Sequence, residues 1–209
     1  MKITWLGRAV HYEAGLEAQY AARDRVLAGG EDELLLLEHS PTVTLGRRGG
    51  LVDRDALARL NTPVFETKRG GLATWHGPGQ LVGYPIIDTK RAKVGVRVFV
   101  CRLGELMRTL AAELGVDDLH YDPDRPGVYR DGRKVGSIGL HLHKGVTTHG
   151  FALNVDVDFA GFRAIDPCGF ADLVVSSLVR EGATLATMDA ARSRATQLAP
   201  GLLLTAVDR

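Results

Sequence analysis

The sequence predicts an α+β fold: a single domain over residues 1–209, with a mixed, mostly antiparallel sheet flanked by helices. Three observations carry that expectation. Short apolar runs bounded by Gly, Pro, Asp and Asn recur from Leu34 to Val155, as strands do. One longer run, Val96 to Leu114, places Phe99, Leu103, Leu106, Leu110 and Leu114 three or four residues apart, on one face of a helix. Asp131-Gly132 then has the composition of a two-residue hairpin turn, which joins its flanking runs antiparallel.

In chain order, Ile3 to Val10 reads as a first strand. Tyr12 to Leu27 follows as a helix, with Leu16, Tyr20, Val26 and Leu27 at broadly helical spacing and Gly29-Gly30 as its stop. Leu34 to Glu38 and Thr42 to Leu45 read as strands, and Gly46-Arg47-Arg48-Gly49-Gly50 as a glycine-rich basic turn. Asp53 to Leu60 is a short helix, and Pro63 opens a strand through Thr67. The stretch Lys68 to Asp88 is too rich in glycine for a regular helix and reads as strand, tight turn and strand, with Leu81 to Ile87 entering the core. After the long helix, Tyr121 to Pro126 reads as loop. Val128-Tyr129 and Lys134-Val135 flank the hairpin turn, and Ser137 to Leu142 and Val146 to Val155 read as further strands. Met188 to Leu198 closes the chain as an amphipathic surface helix.

Composition excludes several classes. A charged fraction of 24%, a hydrophobic fraction of 45% and a formal net charge of +1 are those of an ordinary globular protein, with no global signal for nucleic acid or membrane. No apolar run approaches the roughly 20 residues of a membrane span, and the first residues lack the apolar core of a signal peptide. The 2 cysteines are too few for a disulfide framework or a zinc ribbon, so the expected compartment is the cytoplasm.

The segment Lys134 to Phe170 carries the candidate chemistry. Its two strand-like runs fold back through a turn, which could bring Lys134 towards Cys168. Asp166-Pro167-Cys168-Gly169 is a rigid turn that would present the thiol at a loop tip. A free thiol has a pKa near 8.5 and is only about 3% thiolate at pH 7, so a nearby ammonium would raise its reactive fraction. The ordinary fate of a lone cysteine is a small buried hydrophobe, and Cys101, within Val98-Phe99-Val100-Cys101, fits that fate. The ordinary reading of Lys134 is an exposed residue beside the Asp131-Gly132 turn. His141 and His143 sit on one strand face, where solvent-facing histidines are expected rather than a metal site, because no acidic or cysteine ligands are spaced to complete one. His76 and His149, each before a glycine, are candidates to line a pocket or to serve the structure. Arg69-Gly70-Gly71 offers backbone amides and a guanidinium to a phosphate or a carbonyl, or is a plain turn. No Walker loop or strand-borne GxGxxG is present.

Together these stretches resemble the octanoyltransferase (lipoate-protein ligase B) family. The resemblance rests on His39-Ser-Pro-Thr-Val-Thr-Leu-Gly46, RGGLATWHGPGQLVGYPI from Arg69, Lys134-Val-Gly-Ser-Ile-Gly139, His149-Gly-Phe-Ala-Leu-Asn-Val155 and Asp166-Pro-Cys-Gly169. They come in the family's order and span most of residues 39 to 170. Trp75 and Phe151 depart from the commoner tyrosine and leucine, and Trp75 is expected to reshape the acyl pocket slightly.

The resemblance implies the catalytic-domain fold of biotin and lipoate protein ligases. It implies transfer of an octanoyl group from octanoyl-acyl carrier protein to a lysine of apo-lipoyl domains, those of the 2-oxoacid dehydrogenase complexes and the glycine cleavage H protein. It implies Cys168 as the residue that takes the acyl group and Lys134 as its acid/base partner. The acyl site would comprise Arg69, Gly70, Gly71, Leu72, Ala73, Thr74, Trp75 and His76, with Ser137, Ile138 and Gly139 and with Gly150, Phe151 and Ala152. No cofactor or metal is implied, since thioester exchange needs no ATP. Oxyanion donors would come from the Cys168 turn or the Arg69-Gly70-Gly71 loop. Both protein partners of such enzymes are acidic, which makes Arg47, Arg48, Lys68, Lys90, Arg91, Lys93 and Arg97 candidates for a docking rim. The rival readings are an ATP-dependent lipoate or biotin ligase, and a non-catalytic module that binds acyl carriers or lipoyl domains.

Overall fold

Leucines fill β2 (Glu33–Leu37), and all five of its residues are buried. A strand that alternates apolar and polar residues has one wet face; a continuous apolar run is covered on both. Leu34 and Leu36 accordingly face one helical layer and Leu35 and Leu37 another. The computed structural model, which describes residues 1–165 and 174–204, places β2 inside a seven-stranded sheet of order β1-β2-β6-β10-β9-β8-β7. The other strands are β1 (Lys2–Trp5), β6 (Gln80–Ile86), β7 (His120–Asp122), β8 (Gly127–Arg130), β9 (Arg133–His143) and β10 (Val146–Asn154). Among the described residues, only β1 and β2 pair in parallel within it, and every other neighbouring strand is antiparallel. A second sheet of order β4-β3-β5 joins β3 (Thr42–Leu45), β4 (Val64–Glu66) and β5 (Thr74–His76).

Two helices cover one face of the large sheet. In α3 (Val96–Glu113) the expected apolar stripe is buried, with Phe99, Leu103, Leu106 and Leu110 inaccessible to solvent. The last helix, α5 (Met188–Leu204), runs further than its sequence suggests and is not merely a surface element. Met188, Ala191, Ala195, Ala199 and Leu203 belong to the main core, where the three alanines form a small-residue stripe.

The other face carries α1 (Tyr12–Leu27), whose bounds match the expectation but whose buried stripe keeps only Val26 of the four residues expected. Tyr12, Gly15, Gln19, Ala22 and Val26 point inward, while Tyr20 and Leu27 are exposed. Close approach decides this, because a Cβ at Gly15 would lie 2.8 Å from His39 Cε1. Small helices α2 (Arg54–Arg59) and α4 (Ala160–Arg163) pack around the second sheet in a separate core built on Val43, Leu57, Trp75 and Phe162. Asp53 caps α2 by accepting from Ala56 N–H at 2.9 Å.

Three other expectations are corrected. The first strand stops at Trp5, because Gly7 (φ 119°) and Ala9 (φ 53°) leave the extended region, and Val10 returns only as a single bridge to His39. Tyr121 and Asp122 are not loop: they pair with Val128 and Gly127 as edge strand β7. The runs at Lys134-Val135 and Ser137–Leu142 are one continuous strand, β9. The hairpin turn has the backbone its composition asks for, with positive φ at Asp131 (46°) and Gly132 (77°).

Candidate functional site

A cavity of about 120 Å³ opens on the α1 side of the large sheet. Val82 of β6, Ala152 and Gly150 of β10, and Ser137 and Gly139 of β9 lie along it. Register puts Ala152 beside Val82 on one side and Ser137 on the other, with Gly150 opposite Gly139. The glycines keep this floor open. A Cβ at Gly139 would lie 2.9 Å from the Gly70 carbonyl, so the Arg69-Gly70-Gly71 loop rests directly on β9. Gly70 N–H donates to the Leu140 carbonyl at 2.9 Å and fixes that seat.

Arg69 is 8% exposed. Its guanidinium donates to Thr44 Oγ1 through Nε (3.0 Å) and Nη2 (2.9 Å), to the Thr44 carbonyl (2.6 Å) and to the Gly70 carbonyl (3.0 Å). Burial lowers its pKa to about 10, which still leaves it a cation at neutral pH. No carboxylate pairs with it among the described residues. The guanidinium is thus largely spent on holding β3, although Arg69 and Gly71 of this loop still line the cavity.

Thr44 passes the network on. Its hydroxyl lies 3.4 Å from His76 Nε2, and His76 Nδ1 donates to Gln80 Oε1 at 2.7 Å. Gln80 Nε2 donates to the Trp75 carbonyl (3.2 Å) and to Asn154 Oδ1 (2.9 Å), and Asn154 Nδ2 donates to the Ser176 carbonyl (2.8 Å). His39 makes a parallel chain: Nδ1 donates to the Val10 carbonyl (2.8 Å), so Nε2 accepts from the Tyr84 hydroxyl (2.6 Å). Burial is the leading cause that pushes His39 down to about 4 and His76 and His149 to about 3. The three rings are neutral, and the tautomers of His39 and His76 follow from their partners. His149 also has φ 57°, an uncommon conformation for a non-glycine residue inside a strand, and its N–H donates to Gln19 Oε1 at 2.7 Å.

Lys134 is buried rather than exposed beside the turn, at 8% exposure, and it lines the cavity. Its Nζ lies 5.3 Å from the centre of the Tyr129 ring, with the Arg125 guanidinium 5.0 Å from the same ring. Its backbone N–H donates to the Val174 carbonyl (2.8 Å), and its carbonyl accepts from Ser176 N–H (2.9 Å). Cys168, with Asp166, Pro167 and Gly169, lies outside the described residues.

Of the other expected site residues, Arg69, Gly71, Leu72, Ala73, Thr74, His76, Ser137, Ile138, Gly139, Gly150, Phe151 and Ala152 line this one cavity together with Lys134. Gly70 and Trp75 do not. Trp75 turns into the small core, 5.2 Å from Phe162 by ring centres. Sequence reading did not single out Tyr12, Thr44, Val82, Tyr84, Asp124, Arg125 and Pro126, which also line it. Thr44 and Tyr84 stand inside the motif stretches and could have been flagged there; Tyr12 and the Asp124–Pro126 loop carry no local signal.

Two surface expectations change. Cys101 is exposed rather than buried, because it sits on the outer side of α3. Arg91 is tied to Asp32 at 2.6 Å and to the Gly30 carbonyl at 2.9 Å, a structural contact, whereas Arg47 and Lys68 gather by His141 and, after burial, help to disfavour its protonation.

Residues 12–198 match the family model of the lipoyl protein ligase A/B catalytic domain. The chain is 43% identical over 189 residues to an octanoyltransferase of Chromobacterium violaceum, covering 90% of this chain and 89% of that one. It is also 43% identical over 189 residues to an octanoyltransferase of Mycolicibacterium smegmatis, covering 88% and 81%. Among solved structures, a putative lipoate protein ligase from T. acidophilum with bound lipoic acid superposes with a TM-score of 0.78 at 15% identity, over 97% of this chain and 85% of that one. A biotin protein ligase from Aquifex aeolicus in complex with biotin and ATP gives 0.58 at 12% identity, over 97% and 70%. The fold is the one these ligase catalytic domains share.

Proposed function

Since the chain belongs to the lipoyl protein ligase A/B catalytic-domain family, on its octanoyltransferase side, and is an acyltransferase, we propose that it moves an octanoyl group from octanoyl-acyl carrier protein to a lysine of apo-lipoyl domains. The whole chain, 1–209, acts as one catalytic domain in the cytoplasm. Acceptors are the lipoyl domains of 2-oxoacid dehydrogenase complexes and the glycine cleavage H protein. Cys168 carries the acyl group as a thioester, and Lys134 is its acid and base.

One observation supports the dyad above others. Lys134 is buried on the cavity wall, and both its backbone groups are bonded to Val174 and Ser176, the described residues that follow the cysteine turn in the chain. Cys168 stands six positions before Val174 in the chain, a reach of about 20 Å at most, which is compatible with a contact between the thiol and Lys134.

The chemistry follows from that pairing. The Cys168 thiolate attacks the carrier thioester carbonyl, a carbon–sulfur bond forms to Cys168, and the bond to phosphopantetheine breaks. The departing thiolate takes a proton from the Lys134 ammonium, which becomes an amine. An acceptor lysine then attacks the new thioester, its proton passes to Lys134, an amide forms and the Cys168 thiolate is restored. Because one thioester exchanges for another of similar energy, no cofactor or ATP is needed. The apolar stretch of the cavity, Val82, Ala152, Ile138, Leu72 and Ala73, suits an alkyl chain, at about 0.8 kcal/mol for each buried CH₂.

Incubation with octanoyl-acyl carrier protein in the absence of ATP, followed by intact-mass measurement, tests this. The expected result is a gain of one octanoyl group in the wild type and none in Cys168→Ser. Modification of a lipoyl domain only when ATP is present would instead establish an ATP-dependent ligase, and transfer under neither condition would leave a binding module.

A further inference from the structure

The Asp131-Gly132 turn sets Arg130 opposite Arg133 at the end of the β8–β9 pair, and both guanidiniums reach Glu181. Arg133 donates to the two carboxylate oxygens of Glu181 through Nε and Nη2, each at 2.8 Å. Arg130 Nη1 donates to the Glu181 backbone carbonyl at 2.5 Å. The Glu181 side chain is only 4% exposed. A carboxylate so buried stays where its donors are, because losing one would leave a charge with neither partner nor water. Its remaining partner is the Ser176 hydroxyl, which donates to it at 2.5 Å.

Lys134 stands where this cluster meets the sheet. On one edge it pairs with Tyr129 of β8; on the other, the β10 pairing ends with Leu153 opposite Gly136. Val174 and Ser176 fill that second edge: Lys134 N–H donates to the Val174 carbonyl at 2.8 Å, and Ser176 N–H donates to the Lys134 carbonyl at 2.9 Å. The contacts close a circuit. It runs from Lys134 to its neighbour Arg133, through the Glu181 carboxylate to the Ser176 hydroxyl, and back through the Ser176 N–H. The lysine side chain is seated just as closely, since a Cβ at Gly127 would lie 2.9 Å from Lys134 Cε. Neither Arg133 nor Glu181 lines the cavity.

We propose that Glu181 is the positioning residue for Lys134: without touching substrate, it locks the segment from Val174 to Ser176 onto β9 and so fixes the Lys134 side chain on the cavity wall. The proposal rests on the reading of Lys134 as acid and base given above. A proton-transfer group must sit within hydrogen-bond reach of the atom it serves, and a displacement of about 1 Å can cost up to roughly 10²-fold in rate. Glu181→Gln keeps the size of the side chain but gives up its charge and sets an amide NH₂ against the Arg133 guanidinium. The bidentate pair is lost, and the circuit loosens while the apolar core is untouched.

The test is a double-mutant cycle on transfer of octanoyl from octanoyl-acyl carrier protein to an apo-lipoyl domain, with urea midpoints to show that each variant is folded. Glu181→Gln is expected to lower kcat about tenfold and to leave the donor KM within about twofold, since the cavity lining is unchanged. In a Lys134→Ala background, where no side chain is left to place, the same substitution should change the remaining rate by less than about twofold. Ser176→Ala, which removes only the hydroxyl from the circuit, should lower kcat in the same sense by a smaller factor, and it serves alone where Glu181→Gln does not fold. A wild-type kcat in the folded variants, or an equal loss in both backgrounds, overturns the positioning role. A wild-type rate in Lys134→Ala overturns the underlying reading instead.

Discussion

Asn154 and Lys134 are joined through a single residue. Asn154 Nδ2 donates to the Ser176 carbonyl at 2.8 Å, and Ser176 N–H donates to the Lys134 carbonyl at 2.9 Å. Behind Asn154, Gln80 and His76 continue the chain of bonds to Thr44 and Arg69, all of them buried. The Arg69 loop, the cavity wall and the Lys134 strand are therefore one hydrogen-bonded unit and not separate motifs.

Breaking that unit in the middle should cost stability. In Asn154→Ala the Ser176 carbonyl and one Gln80 N–H lose their partners in a buried setting, at about 1–3 kcal/mol. Urea unfolding would measure the loss, and a midpoint equal to that of the wild type would contradict the network's role.

Lys134→Ala is expected to slow both acylation of Cys168 and onward transfer by about 10²–10⁴-fold, with the fold retained. Lys134→Arg keeps a cation that can still stabilise the attacking and departing thiolates by charge but can never become the neutral base the acceptor lysine needs, so transfer to the acceptor should suffer more than acylation. Single-turnover measurements of the two steps would separate them; wild-type rates and pH profile in both variants would remove Lys134 from the reaction.

Gly83 faces Phe151 across the β6–β10 ladder, and the Phe151 ring occupies the space a side chain at position 83 would need. Gly83→Ala should displace that ring, a cavity-lining group, and destabilise by about 1–3 kcal/mol. A thermal melt and the octanoyl uptake of the same variant would both move; an unchanged pair would mean that the wall yields freely.

Acid should unfold the protein through its buried histidines. His39, His76 and His149 titrate at about 4, 3 and 3 when folded, against 6.5 when solvated. Their folded values are depressed, so below pH 6.5 the unfolded chain binds more protons, and stability is lost as pH falls from about 6.5 towards 4. Glu181, held near 2 chiefly by its hydrogen bonds from Arg133, adds a loss of the same sign as pH falls through 4.5. Urea midpoints measured from pH 7.5 to pH 5 should drop steadily, and a flat profile would show that these rings are not neutralised by burial.

What the sequence alone determined is what short-range chemistry dictates. Turn residues at Asp131-Gly132, the leucine run of β2, the stripe of α3 and the bounds of α1 are local properties, and the order of motifs from His39 to Cys168 is legible without coordinates. Only the tertiary structure decided what those elements meet. Lys134 looks exposed beside its turn, yet residues forty positions on cover it through Val174 and Ser176. Arg69 looks free for a ligand, yet most of its donors go to Thr44, twenty-five residues away. The inner face of α1 looks to be Leu16, Tyr20, Val26 and Leu27, yet of these only Val26 is buried, because contact with His39 requires Gly15 and turns Tyr12 towards the cavity. In each case burial and hydrogen bonding are set by partners distant in sequence, and no local pattern of residues records them.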